Sequence, residues 1–156
     1  MKNTMSNIWL INNRGLYIVA FKILMSILSL SLGGLIYLGW RSGNLVMFQL
    51  IEKWEADYLK SVRDLCTNYL IDDWIKYSMP DGLWLFSYML LIEAIWIKHK
   101  CISYHVFLWC LPFVAIMSEL LQLVAVVPGT FDIIDLSCYI LAIFIFLMFN
   151  YKKKLI

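Results

Sequence analysis

The chain has 156 residues, 62% of them hydrophobic and 15% charged, with a formal net charge of +2. Ordinary soluble domains carry roughly 45–50% apolar and about 25% charged residues, so a soluble core of this length cannot hide the apolar surface, and the chain reads as one integral membrane domain over 1–156. The small net charge, with no basic cluster among interleaved aromatics, also argues against nucleic acid as a partner.

The first apolar stretch, Leu16 to Tyr37, exceeds the about 20 residues a spanning helix needs and is interrupted only by Lys22. It is too long for a secretory h-region of roughly 7–15 residues and lacks a small-residue cleavage site, so it is expected to stay as an anchor. Gly33-Gly34 inside it would permit close helix packing. The connection over 41–78 has a period of its own. Met47, Ile51, Trp54, Tyr58, Val62, Leu65 and Tyr69 recur at steps of three and four, whereas Glu52, Glu55, Lys60, Arg63 and Asp64 fall largely elsewhere on the wheel. This predicts an amphipathic helix that lies on the membrane, caps the bundle or serves as a ligand-binding lid.

Met79 to Trp96 forms a shorter, aromatic-rich second span carrying Glu93. Cys101 to Val127 overshoots the bilayer, which predicts tilt or a bend at Pro112. Pro128-Gly129 then supplies a tight turn into a fourth span, Phe131 to Tyr151. Trp40, Trp84, Trp96, Trp109 and Tyr151 fall mostly near span ends, as interfacial anchors do. The predicted fold is an all-α integral membrane protein, a four-transmembrane-helix bundle with an amphipathic helix in the first extracytoplasmic connection.

Charge sets the expected orientation. Lys2 and Arg14, Lys98 and Lys100, and Lys152, Lys153 and Lys154 all fall on one side of four spans, which places both termini in the cytoplasm of a multi-pass inner (plasma) membrane protein. Acidic residues keep to the outer side, apart from Glu93 and Glu119 inside spans. Of the four cysteines, Cys101, Cys110 and Cys138 fall in spans as small apolar residues, and Cys66 has no partner near it, so no disulfide framework is expected.

Two polar groupings stand out in this apolar setting. Lys22 and Glu93 lie at similar depths, roughly 12 and 8 Å from the cytoplasmic side at about 1.5 Å per residue, close enough for an intramembrane ion pair, with separate snorkelling or a proton path towards Glu119 as the alternatives. On the outer side, Glu119 and Gln122 share one helical face, Asp132 and Asp135 share another with Tyr139 a turn beyond, and Asp81 opens the second span at the same surface. Measured from Pro128, Gln122 would lie roughly 9 Å and Glu119 roughly 13 Å deep, matching Asp135 and Tyr139 on the return path. A lipid-facing carboxyl costs about 2.5–3.5 kcal/mol on insertion scales, so Glu119 is expected to face the bundle interior or a wet cavity. A bland role stays open: Glu119 could glue helices, and Asp81 and Asp132 could be N-caps. His99 and His105 fall at the opposite end, Ser118 and Ser137 have no histidine base at their depth, and the expectation is a site with no metal and no cofactor. Asp81, Glu119, Asp132 and Asp135 are nonetheless oxygen donors of the kind a hard divalent ion accepts.

Glu119-x-x-Gln122 followed by Pro128-Gly129-Thr130-Phe131-Asp132-x-x-Asp135 resembles the C-terminal signature of VanZ-like membrane proteins, and Asp81 resembles the acidic residue opening an earlier span there. The turn lacks the family's Arg, Tyr139 stands where many members have Asn, and Trp84 replaces a His, so the chain looks closer to a related set of small membrane proteins. Arg41, Arg63 or Lys76 could supply the missing cation from the first connection. The family's name-giving member is associated with tolerance of a glycopeptide antibiotic. The resemblance supplies no mechanism; taken with the matched depths, it leads to the expectation of an extracytoplasmic-side pocket of Asp81, Glu119, Gln122, Asp132, Asp135 and Tyr139 that binds an envelope amphiphile, either a lipid headgroup or a lipid-linked saccharide. Its partners would be membrane lipids, such a lipid-linked envelope intermediate, and other membrane proteins. The rival readings are an enzyme using two carboxylates on the same kind of substrate and a non-catalytic subunit of a membrane complex.

Overall fold

A computed structural model describes residues 2–41, 61, 63–66 and 68–151, most of which are helical and none of which lies in a strand. The principal elements are α1 (Lys2–Trp40), α2 (Asp73–Tyr77), α3 (Met79–Ile95), α4 (Ile102–Leu123) and α5 (Ile133–Tyr151). Three stretches among the described residues are long and apolar enough to cross a membrane: Gly15–Trp40 of α1, Ile102–Leu123 of α4 and Ile133–Asn150 of α5. The chain is thus a helical, multi-pass membrane protein. The 17 residues of α3 fall just short in length, yet α3 is the hub of the bundle. It packs most extensively on α1, then on α5, and makes smaller contact with α4.

Small residues explain that arrangement. A Cβ on Gly33 would sit 2.7 Å from the Trp84 indole nitrogen and 3.2 Å from the Pro80 carbonyl, so the glycine lets α3 lean on α1. Gly34 has open space around it. On the other side of α3, a Cβ on Gly82 would lie 3.1 Å from the Cys138 carbonyl oxygen, which brings the α5 backbone close. Serines tie the first of these interfaces. Ser26 Oγ donates to the Ser87 carbonyl at 2.9 Å, Ser87 Oγ donates to the Ser26 carbonyl at 2.8 Å, and Ser29 Oγ donates to the Leu83 carbonyl at 2.9 Å. Bonds of this kind average about 0.6 kcal/mol in membranes, so close packing carries most of the association. Met89, Leu90, Ile92, Tyr104, Leu108 and Phe146 form the apolar core, drawn from α3, α4 and α5.

Several expected boundaries move. The spanning stretch of α1, Gly15–Trp40, agrees with the expected Leu16 to Tyr37, and the helix extends back from it to Lys2, so that at about 1.5 Å per residue its 39 residues reach about 58 Å. Helix α4 continues through Pro112 but ends at Leu123 instead of Val127. The stop is a Schellman motif: Ala125 adopts φ 56°, its N–H donates to Gln122 O at 3.0 Å, and Val126 N–H donates to Leu121 O at 3.0 Å. Pro128 further disfavours helical backbone at Val127. The overshoot of the third span therefore disappears, and the tight turn is replaced by a longer connection over 124–132, with Gly129 at φ 138° and α5 starting at Ile133 instead of Phe131. The expected amphipathic helix falls mostly outside the described residues; within it, Ser61 and residues 63–66 are helical, and Leu65 and Tyr69 are exposed. All four cysteines are free thiols.

Candidate functional site

The bundle has a polar grouping at each end, built differently. At the end where α3 begins, Asp81 is in that helix's first turn, Glu119 is one turn inside the end of α4, and Asp135 is in the first turn of α5. Their carboxyls lie within electrostatic range of one another, and the Tyr139 hydroxyl lies in range of all three. Arg41, just past α1, places a cation in range of Asp81. Its guanidinium is held over the rings of Tyr37 and Tyr77, 5.3 and 5.2 Å from their centroids.

Glu119 is buried, and its Oε2 accepts a long hydrogen bond from the Asp132 backbone N–H at 3.4 Å. Asp132 itself is an N-cap: its Oδ1 accepts from Ile134 N–H at 2.8 Å. Asp135 Oδ1 is buried without a hydrogen-bond partner, and so is Ser78 Oγ, three residues before Asp81 on the same helical face. These two are the buried side-chain polar atoms among the described residues that lack a partner, and both lie at this end.

Gln122 departs from the expected column. Because α4 ends at Leu123, Gln122 sits in its last turn and Glu119 only about 6 Å below the end, shallower than a helix running to Val127 would put them. The Gln122 side chain lies against Gly129, where an added Cβ would be 2.8 Å from its Nε2. It therefore braces the connection. Among the described residues no three His, Cys, Asp or Glu side chains are grouped as a metal site. The four carboxylates neighbour one another without converging on a common point.

At the opposite end, Lys22 Nζ lies 3.1 Å from Glu93 Oε1, with both side chains buried. Sequence spacing missed the rest of this network. Lys100 Nζ donates to both Glu93 oxygens, at 2.9 and 3.1 Å. The Tyr104 hydroxyl also donates to Glu93 Oε2, and Lys22 donates to Asn150 Oδ1 at 2.6 Å. One carboxylate therefore ties α1, α3, the α3–α4 connection and α4 together, and Lys22 extends the tie to α5. The basic flank at Lys98 and Lys100 hinted at Lys100 only as a topology signal; nothing in the spacing pointed to Asn150. His99 is exposed and His105 packs edge-on against Tyr104, both remote from the acidic end.

A lateral groove opens between α1, α3 and α5, bordered by Trp74 of α2. Its volume is about 500 Å³, and Leu28, Leu32, Leu83, Phe86, Leu141 and Ile145 form most of its wall. No protein-family model matches this chain, and no curated protein or solved structure is significantly similar to it.

Proposed function

We propose that the chain is a four-span inner-membrane protein, VanZ-like in its C-terminal hairpin, that binds the headgroup of an envelope amphiphile in its acidic end. In this reading α3 is the remaining span. Its 17 residues measure about 25 Å against a hydrocarbon core of about 30 Å, a mismatch that local thinning absorbs. Lys98 and Lys100 follow α3 at the end opposite the acidic cluster, so the positive-inside rule assigns that end to the cytoplasm and the cluster to the outer leaflet.

The observation that carries the reading is the placement of Asp81, Glu119, Asp135 and Tyr139, from three helices, within electrostatic range of one another at one end of the bundle, with a buried Asp135 oxygen left unpartnered. Asp135 as a whole is half-buried, but its Oδ1 is shut off without a donor; an unsatisfied buried acceptor costs about 1–3 kcal/mol, and a headgroup bearing N–H or O–H donors removes that cost. Lipid headgroups and lipid-linked saccharides both qualify.

Reporter fusions test the topology: those after Lys100 and Lys154 should report cytoplasm and one after Asp73 the exterior, and a cytoplasmic Asp73 fusion moves the pocket to the wrong side. For the site, Glu119→Gln and Asp135→Asn should abolish complementation of a deletion strain under envelope-directed antibiotics while abundance in the membrane stays unchanged. Variants that fail to accumulate would instead mark the cluster as a folding device.

A further inference from the structure

The network around Glu93 holds more positive charge than that carboxylate neutralises. The ammonium groups of Lys22 and Lys100 both approach Glu93 Oε1, at 3.1 and 2.9 Å, and Oε2 accepts from Lys100 and from the Tyr104 hydroxyl. Lys22 also donates to the amide oxygen of Asn150, a neutral acceptor. One carboxylate therefore faces two ammonium groups. Lys98, two residues before Lys100, is exposed and has no ion pair among the described residues, so it adds a third cation. No other carboxyl side chain is at hand to correct this balance. The sequence has no Asp or Glu in 1–51, 94–118 or 136–156, and the remaining described acids fall within 64–81 and 119–135, toward the opposite end.

The depth of the network points to the anion that completes it. The spanning stretch of α4 begins at Ile102, and that of α5 ends at Asn150, which Lys22 binds. Lys98 and Lys100 therefore stand at the border between hydrocarbon and water, the level of phospholipid headgroups. Trp96, stacked on Phe107 with ring centroids 5.7 Å apart, lies at the same border, where indoles concentrate. The Lys100 side chain is 47% exposed, so its charge is open to that layer although its hydrogen bonds are made inside the bundle.

We infer that the α3–α4 connection binds the phosphate of an anionic phospholipid, with the Lys98 ammonium donating to the phosphate oxygens and Lys100 supplying the charge that Glu93 leaves uncompensated. Lys100 keeps its bonds to Glu93 and Tyr104, so the lipid adds to the network instead of competing with it. A zwitterionic lipid carries an ammonium beside its phosphate, which cancels much of the attraction, whereas a net-anionic headgroup keeps all of it. The inference takes from the proposed topology only that this end faces the cytoplasmic leaflet, where anionic lipids set a negative surface potential, and it is independent of what the acidic end binds.

Native mass spectrometry of the purified full chain, titrated with phosphatidylglycerol and phosphatidylcholine of identical acyl chains and with inorganic phosphate, tests this. Phosphatidylglycerol should be retained roughly tenfold more tightly than phosphatidylcholine, and Lys98→Gln should lower its retention about fivefold, the effect of one lysine near an anionic surface. Lys98 is exposed and unpaired, so the fold should be unchanged, which circular dichroism and melting check. Lys76→Gln removes a cation at the opposite end and should leave both lipids as they were, which controls for net charge. Equal retention of the two lipids by the native protein overturns the inference, and so do equal losses from Lys98→Gln and Lys76→Gln. Displacement of phosphatidylglycerol by an equal concentration of inorganic phosphate overturns the lipid as the source of the anion. An exterior signal from the fusion after Lys100 would refute the topology without altering the binding result, so the two failures are told apart.

Discussion

The two ends of the bundle solve the same problem, a carboxylate in an apolar protein, in opposite ways. Glu93 is surrounded by Lys22, Lys100 and Tyr104, and each of its oxygens accepts hydrogen bonds. Glu119, Asp81 and Asp135 instead have one another as charged neighbours, with Arg41 in range of Asp81, one long bond to Glu119 and an unpartnered oxygen on Asp135. The first arrangement has the marks of a structural clamp, since every strong donor is engaged within the fold. The second leaves acceptors over, which is what a binding site requires and a clamp does not. Burial alone fails to distinguish them, because Glu93 is 3% and Glu119 5% exposed.

The largest expected effect lies at the clamp. Glu93→Gln leaves the buried Lys22 without its counter-ion and should cost roughly 3–5 kcal/mol in reversible unfolding from micelles. Lys22→Met should cost less, because Lys100 and Tyr104 remain on the carboxylate. The double variant should be more stable than the sum of the two losses implies, a coupling of about 0.5–3 kcal/mol. Strict additivity would show that the three groups do not act as a unit.

Next in size is Gly33, where the acidic half of α3 leans on α1. Gly33→Ala places a methyl within 2.8 Å of the Trp84 ring and should cost about 1–3 kcal/mol as the indole shifts. Gly34→Ala has room and should be neutral or stabilising by up to about 1 kcal/mol. Equal responses at the two positions would contradict the close contact. Ala125→Gly relieves a left-handed alanine and should raise stability by about 1 kcal/mol, measured by the same unfolding assay.

The smallest stability effect should be at Asp135, and it sharpens the contrast most. Asp135→Asn removes like-charge repulsion and breaks no hydrogen bond at Oδ1, so unfolding should change by less than about 0.5 kcal/mol although complementation is lost. A loss comparable to that of Glu93→Gln would make the two ends equivalent and remove the distinction between clamp and site.

What the sequence determined alone is what local physics determines. Excess apolar content required a membrane, and runs of Leu, Ile and Phe around single polar residues marked the spanning helices of α1, α4 and α5. Lys22 and Glu93 could be matched by depth because a helix advances a fixed distance per residue. Tertiary structure decided the rest. Lys100, Tyr104 and Asn150 reach Glu93 and Lys22 only because four helices converge there, and no periodicity encodes that meeting. The end of α4 at Leu123 escaped sequence reading because Ala125 occupies a left-handed position usually marked by glycine, while the apolar run continues past it. That early stop draws Gln122 onto Gly129 and leaves Glu119 facing Asp135 and Asp81. The hub role of α3 was hidden for a related reason: its packing depends on Gly33 of α1 and on its own Gly82, and a glycine's value lies in the backbone it admits, which only the partner helix reveals.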